Sequence, residues 1–402
     1  MKAEEPVTGV LLKPLDTLFF RDGRPFQESS RVESAVLPFP QTIAGALRTA
    51  LLASTGFNFR KFADKRRSRS DPTNVHEILR DCGAKSDHIQ ARFRGPWLAL
   101  TNGTEIQPLL PVPQTLTADA SEDDHAPTNW QTLRPRNPGG IPLPGWVPSQ
   151  PGIWPLWRQN IVADVERPSG FLTLRGIQSF LAAISCGSET PTRLETEFFK
   201  PDSLYAHDSR IGIAVDSEKL TAADGMLYGI NLLSLPDQVG RRKGVADDPY
   251  VGWKIGLYVE IIGPTDVRQH LHDQPIPLGG EGRHAVLTLI DQLPRWPILS
   301  KASKSVIYLA TPGLFTLNGK SHWLPNALSN DRIKLRGAAS DKAIPISGWD
   351  IARRGPKATR FAVPAGAVYF VEGQTEFKHG SLCDDEEDVA QGWGFALQGE
   401  WQ

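Results

Sequence analysis

The chain has 402 residues, of which 40% are hydrophobic and 22% charged, and its net charge is −1. That length suffices for two or three domains, and that balance allows a core without disulfides. It excludes a surface coated throughout in basic residues, although a local basic groove is compatible with it. Cys82, Cys186 and Cys383 lie far apart with no Cys-x-x-Cys spacing. A disulfide framework or zinc site is therefore not expected, and a reducing compartment fits. No apolar run reaches transmembrane length, and "MKAEEPVTG" lacks a signal-peptide apolar region, so the expected setting is the cytoplasm. Gly (36) and Pro (33) are plentiful, which predicts loops, short strands and few long helices.

In chain order, "PVTGVLLKPL" (Pro6–Leu15) reads as a first strand. "LFFRDGRPFQ" (Leu18–Gln27) follows, with Asp22-Gly23 as a turn signal bracketed by Arg21 and Arg24. The turn either faces water or holds an anion. Leu37–Ser54 is the clearest helix: Pro40 suits its first turn, and Ile43, Leu47 and Leu51 form one stripe. Gly45 inside it costs about 1 kcal/mol relative to Ala, which a close approach to a sheet or ligand could offset. Phe59–Pro72 is dense in Arg and Lys, and reads as a solvated loop or an RNA arm. From Arg94 to about Gly170 the Pro/Gly/Trp-rich sequence reads as an insertion of extended loops without a helical core.

Arg210–Asp216 and Gly225–Leu235 read as paired strands, and Gly252–Gly263 as another. Pro277–Ile290 is a Gly-rich loop running into a strand, and Lys304–Phe315 opens a new unit. "VPAGAVYFVEG" (Val363–Gly373) and "GWGFALQGEW" (Gly392–Trp401) close the chain. "GLYVEIIG" before "GGEGRHAVL" and "GAVYFVEG" before "GWGFAL" suggest an internal repeat. It implies two related α+β domains divided near 290–300.

"GGEGRHA" matches G-x-G-x-x-A, but it does not run from a strand into a helix, so the dinucleotide reading fails on context. A Gly-rich loop can still approach a polyanion, with Arg283 supplying charge, or it is a plain turn. Walker A, G-x-S-x-G and H-E-x-x-H sequences are absent. His270 and His272 would share one strand face, which permits a metal but equally fits solvated histidines. His76, His88, His207 and His284 stand singly, each a conceivable general acid or base without a second catalytic group. "DDEED" (Asp384–Asp388) could suggest a metal, but contiguous carboxylates usually form a solvated loop or a docking patch. Arg353, Arg354, Lys357 and Arg360 surround Gly355-Pro356 as a phosphate clamp or a solvated loop. Trp349 and Phe361 beside them could stack bases, or Trp349 could sit in the core.

Taken in order, "LFFRDGRPF", "LPFPQTIAGALRTALL", "GIAVD…GMLYGINLL", "LGGEGRHA" and "ISGWD…PKATRFAVPAGAVYF" resemble the third subunit of the Cmr effector module. This is a RAMP-superfamily family of type III-B CRISPR systems. The resemblance spans nearly the whole chain, with little of it between about 60 and 200. It implies an α+β fold of two tandem ferredoxin-like, RNA-recognition-type domains, 1–292 and 293–402, the first carrying the insertion at about 60–200. It also implies a non-catalytic subunit that holds the 5′ tag of a guide RNA. Its partners would be the large polymerase-like subunit and the backbone-forming RAMP subunit, which carry messenger synthesis and target cleavage. The candidate RNA contacts are Arg21, Asp22, Gly23, Arg24, Arg48, Gly279, Gly280, Gly282, Arg283, Arg353, Arg354, Lys357 and Arg360. No cofactor or metal is expected. The competing expectations are a metal-independent RNA-processing endonuclease of the same superfamily, and a scaffold without RNA contact.

Overall fold

The computed structural model describes residues 5–21, 37–68, 75–119, 126–139, 147, 152–158, 165–215, 222–263, 267–271, 273–297, 302–329, 331–350, 355–375 and 377–402, with side chains except at 67–68 and 212–228. The first sheet has eight strands. In chain order they are β1 (Val7–Pro14), β2 (Arg92–Thr101), β3 (Ile106–Pro111), β4 (Phe171–Thr173), β5 (Phe198–Phe199), β6 (Lys254–Ile262), β7 (Gln274–Pro277) and β8 (His284–Ile290). They lie side by side as β5-β4-β3-β2-β6-β1-β8-β7. The second sheet comprises β9 (Lys304–Leu309), β10 (Lys334–Ala339), β11 (Val368–Glu372) and β12 (Ala396–Glu400), ordered β10-β11-β9-β12. Every pairing is antiparallel.

The suggested repeat has a structural counterpart. In the first sheet β1 lies between β6 and β8, and β2 lies outside β6. In the second, β9 lies between β11 and β12, and β10 lies outside β11. Each outer pair also carries one register shift, between Tyr258 and Glu260 and between Leu335 and Gly337.

Strand side chains alternate between faces, and both faces are buried here. Val10 and Leu12 of β1, with Ile255, Leu257, Val259 and Ile261 of β6, pack on one side. They meet Ile43, Leu47 and Leu51 of helix α1 (Pro40–Ala53). Leu11 and Tyr258 point the other way, against Val306 and Tyr308 of β9 and Phe370 of β11. Ile307, Leu309, Tyr369 and Val371 face a third core, which lies beyond the second sheet. The two sheets thus pack face to face across a shared core. Burial on both sides explains why "VIYL" and "VYFV" read as continuous apolar runs.

Several expectations change. The basic 59–72 segment is a helix as far as Ser68: α2 (Phe59–Ser68), followed by α3 (Val75–Asp81) and α4 (Ser86–Gln90). Phe57, Ile78 and Cys82 form a small apolar cluster that gives these helices something to pack on, with Phe62 of α2 against it. The 60–200 region does more than insert loops, because β2 to β5 lie within it. It also holds α5 (Leu174–Ser185), whose Ile177, Phe180, Leu181 and Ile184 fill the shared core. The spacing of those residues was a readable helical signal. Gly45 is solvent-exposed on α1, and a Cβ there would meet nothing within 4 Å. No close approach therefore explains it.

A buried acid marks the seam between the sheets. Glu260 of β6 accepts hydrogen bonds from Tyr258 Oη (3.1 Å) and from Trp296 Nε1 (2.7 Å) in the connecting segment. Arg94 of β2 approaches its second oxygen at 3.4 Å. Burial, reinforced by the neighbouring carboxylate, pushes the Tyr258 phenol far above its usual range.

Candidate nucleic-acid interface

The Gly-rich loop joins β7 to β8 as a closed turn. Leu278 N–H donates to Arg283 O (2.8 Å), and Arg283 N–H to Gly280 O (3.2 Å). Gly279, Glu281 and Gly282 have φ of 84°, 55° and 65°. This is left-handed backbone that glycine adopts without steric cost. The exit of β1 lies directly against the loop. Gly280 N–H donates to Phe19 O (2.9 Å), and a Cβ on Gly279 would lie 2.4 Å from that oxygen. Leu18 exchanges backbone hydrogen bonds with Leu233 (2.8 and 2.7 Å), at the base of an antiparallel ribbon of Ala206–Val215 and Ala222–Ser234. The start of the opening motif and the Gly-rich loop, some 260 residues apart in sequence, therefore lie side by side.

This placement redistributes the expected roles. At Gly279 and Gly280 the chain's own backbone makes the close approach. Gly282 is exposed, with nothing within 4 Å of a Cβ built there. Arg283 pairs with Asp16 at 2.9 Å, the aspartate side chain being 67% exposed. Arg210, on the ribbon, is paired with Asp208, and Asp16 further favours its charged form. Arg21 is exposed at the end of the same segment. Asp22, Gly23 and Arg24 lie outside the described residues.

The remaining candidates gather around α1 and the second sheet. Arg48 of α1 pairs with Glu387 (2.8 Å) and covers the Phe93 ring at 5.6 Å. Arg360 clasps Asp388 with both terminal nitrogens. Glu387 and Asp388 belong to helix α6 (Glu386–Gln391). Both arginines thus tie structural elements together. The hydrogen bond from Arg360 to Asp388 holds its guanidinium firmly protonated. Lys357 is exposed, and its N–H donates to Gly348 O (2.8 Å). Gln41 of α1 reaches Ser347 O (2.8 Å), and Arg66 of α2 reaches Asp350 (3.4 Å). The two basic segments of the sequence, 59–68 and 349–360, are thereby joined. Arg353 and Arg354 lie outside the described residues.

The acidic run is consumed internally. Asp384 accepts from Asn326, Asp385 caps α6, Glu386 pairs with Lys378, and the last two carboxylates hold the arginines above. His270 sits in a 3-10 turn against buried His88, with ring centroids 4.9 Å apart. Burial, then the His270 charge, lowers the His88 pKa. His272 lies outside the described residues. His284 Nδ1 is 2.8 Å from Gly282 O, inside its own turn. Among the described residues, no group of three or more His, Cys, Asp or Glu is placed to hold a metal. No described helix is long and apolar enough to cross a membrane. The residue that sequence reasoning missed is Asp16. No spacing signal links it to Arg283, because only the fold makes them neighbours.

No curated protein matches the chain in sequence. In fold it is similar to a chain in the cryo-EM structure of the type III-B Cmr-beta bound to cognate target RNA, at 19% identity and TM-score 0.50. The match covers 90% of this chain and 86% of the other. A second structure, of Cmr-beta with cognate target RNA and AMPPnP, matches at 18% identity and TM-score 0.50 over the same shares. The model of the CRISPR-associated protein family Cas_Cmr3 matches residues 10–401. With the family model spanning nearly its whole length, the chain belongs to the Cas_Cmr3 family, the Cmr3-type subunits of CRISPR effector modules.

Proposed function

We propose that this chain is a non-catalytic, RNA-binding subunit of a cytoplasmic type III-B effector complex. It holds the 5′-tag end of the guide RNA and bridges the large polymerase-like subunit and the backbone RAMP subunit. Base pairing with the guide, and not this protein, reads the target. The observation that carries this reading is the convergence of the β1 exit, the Gly-rich loop and the ribbon base, which gathers Arg21, Gly282 and Arg283. Arg24, Arg353, Arg354 and Lys357 extend the contact by the family resemblance. Gly279 and Gly280 shape the loop against Phe19, whereas Arg48 and Arg360 tie α1 and the second unit to α6.

The domain reading follows the same logic. We infer two ferredoxin-like units, 1–292 and 293–402, from the repeated strand order of the two sheets. In the first unit α1 fills the first crossover, and a 3-10 turn at Arg268–His270 stands in the second. In the second unit a 3-10 turn at Asn326–Leu328 occupies the first crossover and α6 the second.

Counterion release tests the RNA contact. If about four phosphates are engaged, log K against log salt has a slope of about −3 for a single strand, and R283A reduces its magnitude by about 0.7. A flat salt response unchanged by R283A overturns the proposal. Precursor RNA cleavage by the purified chain, abolished by H284A, would make it an endonuclease instead.

A further inference from the structure

Beside the second sheet lies a narrow ribbon. Ile344–Ile346 pairs with Arg360–Ala362, and Trp349–Asp350 with Gly355–Pro356. Ile346 and Ala362 turn into the core. Phe361, between two inward-facing positions, turns outward opposite Pro345 and is 50% exposed. Trp349 lies opposite Pro356 and is 61% exposed. A second hairpin, Phe315–Leu317 with Lys320–His322, abuts this ribbon, because Phe361 N–H donates to Ser321 Oγ (3.1 Å).

Charge decides what such a surface suits. The nearby carboxylates are engaged, Asp350 by Arg66 and Asp388 by Arg360. Lys357 and Lys320 are exposed, and neither forms an ion pair among the described residues. Bare aromatic faces beside uncompensated cations match a chain of π-faces joined by phosphates. A protein partner would need acidic groups and an apolar knob together.

We propose that Trp349 and Phe361 form a stacking platform for unpaired bases of single-stranded RNA, with Lys357 and Lys320 at the flanking phosphates. The inference rests on the RNA-binding reading above and shares Lys357 with it, but its aromatic surface is distinct from the Gly-rich loop. The test measures binding of the full-length chain to a single-stranded RNA decamer and to an abasic decamer with the same phosphates. W349A weakens the intact decamer about 5- to 160-fold and leaves abasic binding unchanged. W349F costs less than about threefold, because a ring remains to stack on. The thermal midpoint of W349A stays at the wild-type value, which separates lost stacking from lost folding. Equal affinity of wild type and W349A for the intact decamer overturns the platform. R283A run in parallel separates the two sites. Binding that depends on Arg283 but not on Trp349 defeats this inference alone. Absence of binding by the wild-type chain defeats both readings.

Discussion

Two Gly-rich loops occupy matching places, each leading into the last strand of its sheet, yet they do opposite things. The first, at 278–283, is exposed at Gly282 and carries Arg283. The second, at 392–394, is shut inside the molecule. Gly392 ends α6 with φ 98°, and a Cβ there would lie 2.9 Å from Gly95 O on β2. Trp393 is fully buried and stacks on Phe39 at 6.0 Å. Gly394 O accepts from Leu382 N–H and its N–H donates to Pro312 O, and a Cβ there would press on Cys383 Sγ at 2.6 Å. The contrast teaches that a glycine cluster reports close backbone approach without saying to what. In the second loop the approaching body is the other sheet at Gly392 and the Ser381–Cys383 segment at Gly394. In the first it is partly the chain itself, at Phe19, with one side left open.

The largest expected effect lies in the closed loop. W393A removes a fully buried indole, and denaturant unfolding should register a loss of about 3–5 kcal/mol. Next come the glycines pressed on backbone oxygens. G279A and G392A each combine left-handed strain with a clash that backbone cannot relieve, for about 2–4 kcal/mol. G282A, with open space around it, should cost only about 1 kcal/mol. Among these, G279A should also weaken RNA binding, because it displaces Phe19 and the β1 exit from the loop. G392A should leave the folded fraction binding RNA normally. If G282A proves as costly as G279A, the open face of the first loop is wrongly assigned.

Smaller effects sharpen the same contrast. Asp16 holds Arg283 through an exposed ion pair, a kind worth about 0.2–1 kcal/mol. D16N should therefore raise RNA affinity by a few-fold and leave stability nearly unchanged, whereas tighter pairing in the wild type would predict loss. The least perturbing test is alkylation. Burial pushes the Cys383 thiol up to about 12, while Cys186 is exposed. Iodoacetamide at mildly alkaline pH should label Cys186 in the native chain and spare Cys383. Labelling of Cys383 on introducing G392A would show that the closed loop has opened.

Much of the strand architecture was legible, because β6, β9 and β11 are dense in Tyr, Val and Ile, and β6 and β11 are bounded by glycines. The helix at 40–53 followed from Pro40 and a single apolar stripe. The 94–170 segment misled because Pro and Trp suggested loops, while β2 and β3 lie at the centre of the first sheet. Pro96 and Pro108 are tolerated there among long-range contacts that a local reading does not register. The basic helix α2 was equally hidden, since its support comes from Asp81, Asp350 and a small apolar cluster elsewhere in the chain.

The candidate site divides along the same line. Arg21, Gly282, Arg283 and Lys357 could be named from composition and order, because residue type alone fixes charge and backbone freedom. Whether an arginine is available could not. Arg48, Arg283 and Arg360 each meet a carboxylate from a distant segment, and Phe361 faces outward while Ala362 beside it turns into the core. The sequence by itself determined helix α1, several of the strands and the stock of charges, all set by local periodicity and side-chain chemistry. Tertiary structure decided which glycines stay open and which charges are spent, since both depend on long-range neighbours that no local window contains.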